Sequence, residues 1–217
     1  MFERIFGTGH QSTLIEAAFD DISSMLRQGK EMMVLAVGSV LENRPLDVDL
    51  DHLDDRLDES ERMVRRTVLE HLSVNPRQDL VASLVLVSMV QDAERVGDFA
   101  NGLVEVAKLA RSPRTGPFAD RLRSIADRLE PQFDACEKSF REDDVEIARG
   151  VMAVYGELRD DLSEYVADVA ASDLSADMAV VYAGAATMLR RISAHLSNIA
   201  TSVVLPYDQI RHGDEDY

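Results

Sequence analysis

Residues 91–101 read Gln-Asp-Ala-Glu-Arg-Val-Gly-Asp-Phe-Ala-Asn, and they lie in the middle of a long segment that is otherwise strongly apolar. Glu94 and Asp98 in this stretch are four residues apart, which is about one turn of an α-helix. Ionised carboxylates are costly on a buried helix face unless a cation or a hydrogen-bond donor pairs with them. The stretch therefore predicts a buried helix that carries a polar site.

A weaker copy of this stretch follows about a hundred residues later. Residues 189–200 read Leu-Arg-Arg-Ile-Ser-Ala-His-Leu-Ser-Asn-Ile-Ala, and both acids of the first copy are missing from them. Self-similarity of this kind is the signature of a structural repeat. The two stretches predict a tandem repeat in which one copy kept a polar site and the other lost it.

The composition favours a helical protein with an acidic surface. The chain has 217 residues, of which 46% are hydrophobic and only 6% aromatic, and its net charge is −17. This charge argues against nucleic acid or an anionic membrane as the main partner. The N-terminal residues lack the apolar core of a signal peptide, and no apolar run approaches the roughly 20 residues that span a bilayer. We expect a soluble, cytoplasmic protein without membrane insertion.

Apolar residues at helical spacing predict six helices and no sheet. The predicted helices cover residues 11–41, 51–73, 78–110, 118–142, 145–170 and 176–205. Pro45 should break the chain after the first helix, and Pro131 should kink or interrupt the fourth. The tail, residues 212–217, is expected to be disordered.

The third helix of each half is the most apolar, which predicts a central and buried position for it. Short links make successive helices antiparallel neighbours. The sequence therefore predicts an all-α fold of two tandem three-helix bundles. The first bundle would cover residues 1–112, and the second, degenerate bundle would cover residues 113–217.

A second row of acids lies on the predicted second helix, and it shares one helix face. Together the two rows form a candidate metal site of five carboxylates: Asp54, Asp58, Glu61, Glu94 and Asp98. Like charges brought together in a bundle repel one another. A hard cation bound between them would replace this repulsion by attraction, since carboxylate oxygens suit Mg, Ca, Mn or Fe. The alternative is a solvated face without a ligand, in which nearby arginines neutralise some of the acids: Arg65, Arg66 and Arg95.

Other chemistry is absent from the sequence. It contains no Gly-rich phosphate loop, no Gly-x-Ser-x-Gly motif and no Cys/His cluster. None of the five histidines has a Glu three residues before it, so the Glu-x-x-His motif of ferritin-like di-iron proteins is missing. We predict no catalytic residue, and we interpret His195 as a packed or hydrogen-bonding residue. Gly97 costs a helix about 1 kcal/mol relative to Ala, which close approach of a neighbouring helix at the acidic site would offset.

These residues resemble the PhoU family of phosphate-uptake regulators, which has two tandem three-helix bundles and a Glu/Asp-x-x-x-Asp motif on the second and third helix of each. Asp54-Asp55-Arg56-Leu57-Asp58, followed by Glu61, is similar to the helix-two motif. Glu94-Arg95-Val96-Gly97-Asp98, followed by Ala100, is similar to the helix-three motif. The resemblance covers nearly the whole chain.

The second half departs from that pattern. Four residues stand where the family has acids: Tyr155, Arg159, Arg190 and Ala194. Residues that still match the family frame follow them: His195, Asn198, Ile199 and Ala200. The resemblance thus implies at most one strong metal site, which would hold an ion or cluster of Fe, Zn, Mg or Ca at the acids of the first half.

The resemblance also implies a function without catalysis. A member of this family acts as a regulatory adaptor, expected to be a homodimer, that contacts a phosphate transporter component and a sensor histidine kinase. It negatively regulates phosphate uptake and phosphate-starvation signalling. The alternative is a metal-free helical scaffold that binds another transporter or partner through its acidic face, and a third reading is a carboxylate-bridged metalloenzyme.

Overall fold

The computed structural model describes residues 13–42 and 49–211, and no strand occurs in either range. The described residues form six long helices and a short 3-10 helix, Tyr207–Gln209. The long helices are α1 (Thr13–Glu42), α2 (Leu50–Val74), α3 (Leu80–Ala107), α4 (Pro117–Glu142), α5 (Val145–Ala170) and α6 (Ala176–Val204). The predicted all-α fold of two three-helix bundles is confirmed. The predicted break at Pro45 and the predicted disorder of the tail lie outside the described residues.

Local chemistry fixes where several helices begin. The carboxylate of Asp49 accepts a hydrogen bond from the backbone N–H of His52, and Asp144 does the same for two backbone N–H groups of α5. Such caps satisfy donors that the first turn leaves free. Of the two effects predicted for Pro131, the interruption is wrong, since α4 continues through it, and the kink stays a prediction. Pro131 lies on the exposed side of α4, where water can satisfy the carbonyl that the missing N–H leaves without a partner.

The two most apolar helices, α3 and α6, lie at the centre, as the sequence predicted. Helix α3 packs against α1, α2 and α6, and α6 packs against α3, α4 and α5. One continuous hydrophobic core includes residues of all six helices. The division into two domains at residue 112 stays a prediction.

The sequence also predicted that no segment is long and apolar enough to span a membrane. None of the helices within residues 13–42 and 49–211 combines the length and the apolar character that crossing a bilayer requires.

Candidate functional site: the acidic groove between α2 and α3

Helices α2 and α3 approach each other closely at Gly97. A Cβ atom built on Gly97 would lie 2.3 Å from Leu57 Cδ1 and 3.1 Å from Asp54 Oδ1. Any larger residue at this position would force the buried side chain of Leu57 to shift, so glycine is what allows this approach. The close contact predicted from the sequence is confirmed, and it lies beside the predicted acidic site. We call the surface between the two helices the α2–α3 groove.

The five predicted site residues lie half-buried along this groove, close enough to change one another's charge. Burial, and then the charge of Asp98, raise the pKa of Glu94 to about 7, although Arg95 opposes the shift. Glu61 and Asp58 add smaller contributions of the same sign. The pKa of Asp54 is also raised, mainly by burial and then by Asp98. The groove therefore carries negative charge that its own residues do not fully compensate.

Three arginines pair with acids of this groove, and each belongs to the same helix as its partner. The ion pairs are Arg62–Asp58 at 2.8 Å, Arg65–Glu61 at 2.7 Å and Arg95–Asp98 at 2.6 Å. Two of these arginines were expected from the sequence, and Arg62 is a further partner. Pairs of this kind along one exposed helix contribute only about 0.3–0.5 kcal/mol each.

Asn101 of α3 is hydrogen-bonded across the groove to carboxylates of α2. Its Nδ2 donates to Asp51 Oδ1 at 3.0 Å and to Asp54 Oδ2 at 3.4 Å. An amide carries no charge, so it orients Asp51 and Asp54 without neutralising them. Asn101 is thus a site residue that the sequence reasoning left without a role.

The acids of the groove, as placed in the described ranges, do not form a metal site. Within residues 13–42 and 49–211, no group of three or more His, Cys, Asp or Glu side chains is arranged to hold a metal ion. Arg62 and Arg95 each donate to one carboxylate oxygen, that of Asp58 and that of Asp98, and so offset part of the charge that a cation would meet. We therefore assign no chemistry to a metal, and metal binding at these acids stays a prediction.

The second half compensates its acids differently. Arg121 of α4 binds Asp161, Glu164 and Asp168 of α5, and Arg128 of α4 also binds Asp161. Burial tends to raise the pKa of Asp161, but hydrogen bonds from the two arginines outweigh it and lower that pKa below its ordinary value. We call this surface the α4–α5 face.

Asp92 is a buried acid whose role the sequence analysis missed. Its side chain is only 2% exposed. It lies on the side of α3 that meets α6, and its carboxylate is hydrogen-bonded to three side chains from the second half of the chain. The partners are His195 Nδ1 at 2.8 Å, Asn198 Nδ2 at 3.1 Å, and Arg211 Nε and Nη2 at 2.9 and 2.7 Å. This cluster ties the two halves together.

The Asp92 cluster also confirms the interpretation of His195. Its ring stacks on Phe99 with centroids 5.4 Å apart, and its Nδ1 faces the carboxylate of Asp92. One signal for Asp92 was present in the sequence, since it lies three residues after Met89 and four before Val96, both of which are buried. The sequence contains no such signal for Arg211, because this residue is 119 positions from Asp92 and follows the proline that ends α6.

Comparison with known proteins supports the fold. No known family model and no curated protein matches the sequence. Among solved structures, PhoU from Pseudomonas aeruginosa is similar with a TM-score of 0.74 and 20% identity, over 92% of this chain and 98% of that one. The phosphate transport system regulatory protein PhoU from Streptococcus pneumoniae is similar with a TM-score of 0.65 and 15% identity, over 93% and 91% of the two chains. The chain therefore has the fold of the PhoU structures along nearly its whole length, as its sequence resemblance predicted.

Proposed function

We propose that this chain is a PhoU-type regulatory protein of phosphate transport. The observation that carries the proposal is the shared fold over 92% of this chain and 98% of the P. aeruginosa protein, combined with the acidic motifs that meet in the α2–α3 groove. The S. pneumoniae protein of the same fold is a regulatory protein of a phosphate transport system.

The proposed action is contact with partners, without a reaction of its own. An acidic surface attracts a basic one over about 8 Å at physiological salt, which raises the association rate. The basic surface would belong to a phosphate transporter component and to a sensor histidine kinase. A homodimer of this chain would hold uptake and phosphate-starvation signalling down while phosphate is plentiful.

The test is phosphate handling in a strain that lacks the gene. Phosphate uptake and phosphate-responsive expression should rise in the deletion strain, and the parent gene should restore both. Glu94→Gln with Asp98→Asn should restore them only in part, while Glu164→Gln with Asp168→Asn, which changes two acids of the α4–α5 face, should restore them fully. Normal phosphate handling in the deletion strain at high and low phosphate would defeat the proposal.

A second candidate is a metal-free scaffold that binds another transporter or partner through the same groove. The arginine pairs favour it, because Arg62 and Arg95 already offset part of the charge of Asp58 and Asp98 without a metal. The phosphate phenotype of the deletion strain distinguishes the partners of the two candidates, and elemental analysis of protein purified without added metal tests whether the groove holds a metal. Bound metal that is lost in Asp58→Asn with Asp98→Asn, but kept in Arg190→Ala, would support a metal-loaded regulator, and metal-free parent protein would support the scaffold.

A further inference from the structure

A straight row of residues runs along the solvent side of α3. Its members follow one another at spacings of four and three residues, which keeps them on one face of a helix. The row reads Leu80, Leu84, Val87, Gln91, Glu94 and Asp98. The three aliphatic side chains at its start are 44%, 37% and 37% exposed, so the row is apolar at one end and acidic at the other.

Helix α2, which lies beside this row, is also acidic at one end and apolar at the other. Along α2, Asp58, Arg62, Arg65 and Leu69 follow at spacings of four, three and four, and Leu69 is 67% exposed. Because α2 and α3 are antiparallel and joined by the turn at residues 75–79, the end of α2 lies beside the start of α3. Leu69 is thus at the apolar end of the α2–α3 groove, and Asp58 is towards its acidic end.

The acidic end has more negative than positive groups. Its three arginines face six acids: Asp51, Asp54, Asp58, Glu61, Glu94 and Asp98. Burial is the largest cause of the raised pKa of Glu94, and the charge of Asp98 raises it further. A cation from a partner would relieve that second, repulsive contribution. At the other end, exposed aliphatic side chains gain about 25 cal/mol for each Å² of apolar surface that a partner covers.

We propose that the α2–α3 groove binds an amphipathic helix that carries aliphatic side chains at one end and Lys or Arg at the other. The residues from Leu80 to Asp98 span about 27 Å at 1.5 Å per residue, so the bound helix would have about 18–20 residues. Its basic end would lie beside Glu94 and Asp98. This inference rests on the proposed function only for the cellular origin of the helix, which would belong to a transporter component or kinase.

The test uses purified full-length protein and two fluorescein-labelled synthetic peptides of the same composition. In the first peptide, the helix face has leucines in one half and lysines in the other. In the second, leucines and lysines alternate along the same face. Fluorescence anisotropy should give a dissociation constant about tenfold lower for the first peptide, because only that peptide satisfies both ends of the groove.

Variants assign the binding to the groove. Leu84→Asp, and the milder Leu84→Ser if the first variant unfolds by circular dichroism, should weaken binding of the first peptide about tenfold. The matched control is Val180→Asp on α6, where Val180 is 54% exposed and its replacement should leave binding unchanged. Raising NaCl from about 50 to 500 mM should weaken binding to the parent severalfold, and much less to Glu94→Gln with Asp98→Asn.

Three results would overturn the inference. The peptides could bind equally well, which would remove the requirement for an apolar and a basic end. Val180→Asp could weaken binding as much as Leu84→Asp. Sedimentation could show that the parent self-associates through the groove, with Leu84→Asp monomeric and no peptide binding, which would make a second copy the occupant. None of these results bears on the phosphate phenotype of the deletion strain, so each proposal fails separately.

Discussion

The α2–α3 groove and the α4–α5 face are both rich in acids, but their arginines come from different places. In the groove, each arginine pairs with an acid one turn away on its own helix. On the α4–α5 face, Arg121 and Arg128 reach from α4 to acids of α5. Arginines that cross between helices lower the pKa of Asp161, whereas the local pairs leave the pKa of Glu94 raised.

On the proposal made above, this difference distinguishes a face that stabilises the fold from a groove that binds a partner. Ion pairs across helices add contacts between elements that already share the hydrophobic core, whereas pairs within one helix add none between elements. Local pairs leave the α2–α3 groove with an excess of negative charge. Asp92 is the extreme case of compensation between elements, because all its described partners come from the second half of the chain.

The largest expected effect is at Asp92. Asp92→Ala should lower the free energy of unfolding by about 3 kcal/mol, because it leaves His195, Asn198 and Arg211 without their shared acceptor at the junction of the two halves. Urea unfolding followed by circular dichroism measures the change. Asp98→Ala in the groove is the control and should change stability by less than about 0.5 kcal/mol. Equal losses of stability in the two variants would show that acids paired between elements contribute no more than acids paired within one helix.

The second expected effect concerns the glycines of the two halves. Gly97→Ala should destabilise the protein by about 2 kcal/mol, because the new methyl group would overlap the buried side chain of Leu57. A methyl group added at Gly156 of α5 would point into open space, with no neighbouring atom within 4 Å, so Gly156→Ala should stabilise by up to about 1 kcal/mol. Thermal unfolding of both variants checks the contrast, and a neutral Gly97→Ala would mean that α2 can move away from α3.

The fold could be predicted from the sequence because its helices are long and clearly punctuated. Asp144 caps α5, and prolines follow or precede several helix ends, so the predicted bounds agree with the structure to within a few residues. The apolar character of α3 and α6 predicted their central position. These signals are local, and each acts within one helix.

The partners of the charged residues could be predicted only where they are local. The pairs Arg65–Glu61 and Arg95–Asp98 are one helical turn apart, and both arginines were named from the sequence as possible partners of the acids. Arg121–Asp161 and Arg211–Asp92 join residues 40 and 119 positions apart. Such pairs depend on how each helix is rotated in the bundle, which periodicity gives too coarsely to select one carboxylate.

The third prediction uses pH to separate the two surfaces. Because the pKa of Glu94 is raised from about 4.5 to about 7, the folded state binds its proton more tightly than the unfolded state does. The corresponding stability is present below pH 4.5 and is lost as pH rises through 7. Glu94→Gln should therefore match the parent near pH 5 and exceed its stability by about 1 kcal/mol near pH 8.

Asp161→Asn should change the stability at neutral pH in the direction opposite to Glu94→Gln. Because the pKa of Asp161 is lowered, its contribution to stability is present above the ordinary aspartate pKa and is lost as pH falls through the lower, folded value. Asp161→Asn should be less stable than the parent at neutral pH, where Glu94→Gln is more stable. Urea unfolding from pH 5 to pH 8 tests both variants, and changes of the same sign would show that the two acids are not compensated differently.

The smallest expected effect is the loss of a single arginine that reaches between helices. Arg121→Ala should destabilise the protein by about 0.5–1 kcal/mol, because Asp161, Glu164 and Asp168 of α5 would then lose their main cation. Arg123 on the same helix pairs only with the nearby Asp120 among the described residues, so Arg123→Ala should cost less than about 0.3 kcal/mol. Repeating the measurement at high salt should shrink the difference, since screening weakens exposed pairs. If Arg123→Ala destabilised the protein as much as Arg121→Ala, ion pairs across two helices would contribute no more than pairs within one helix.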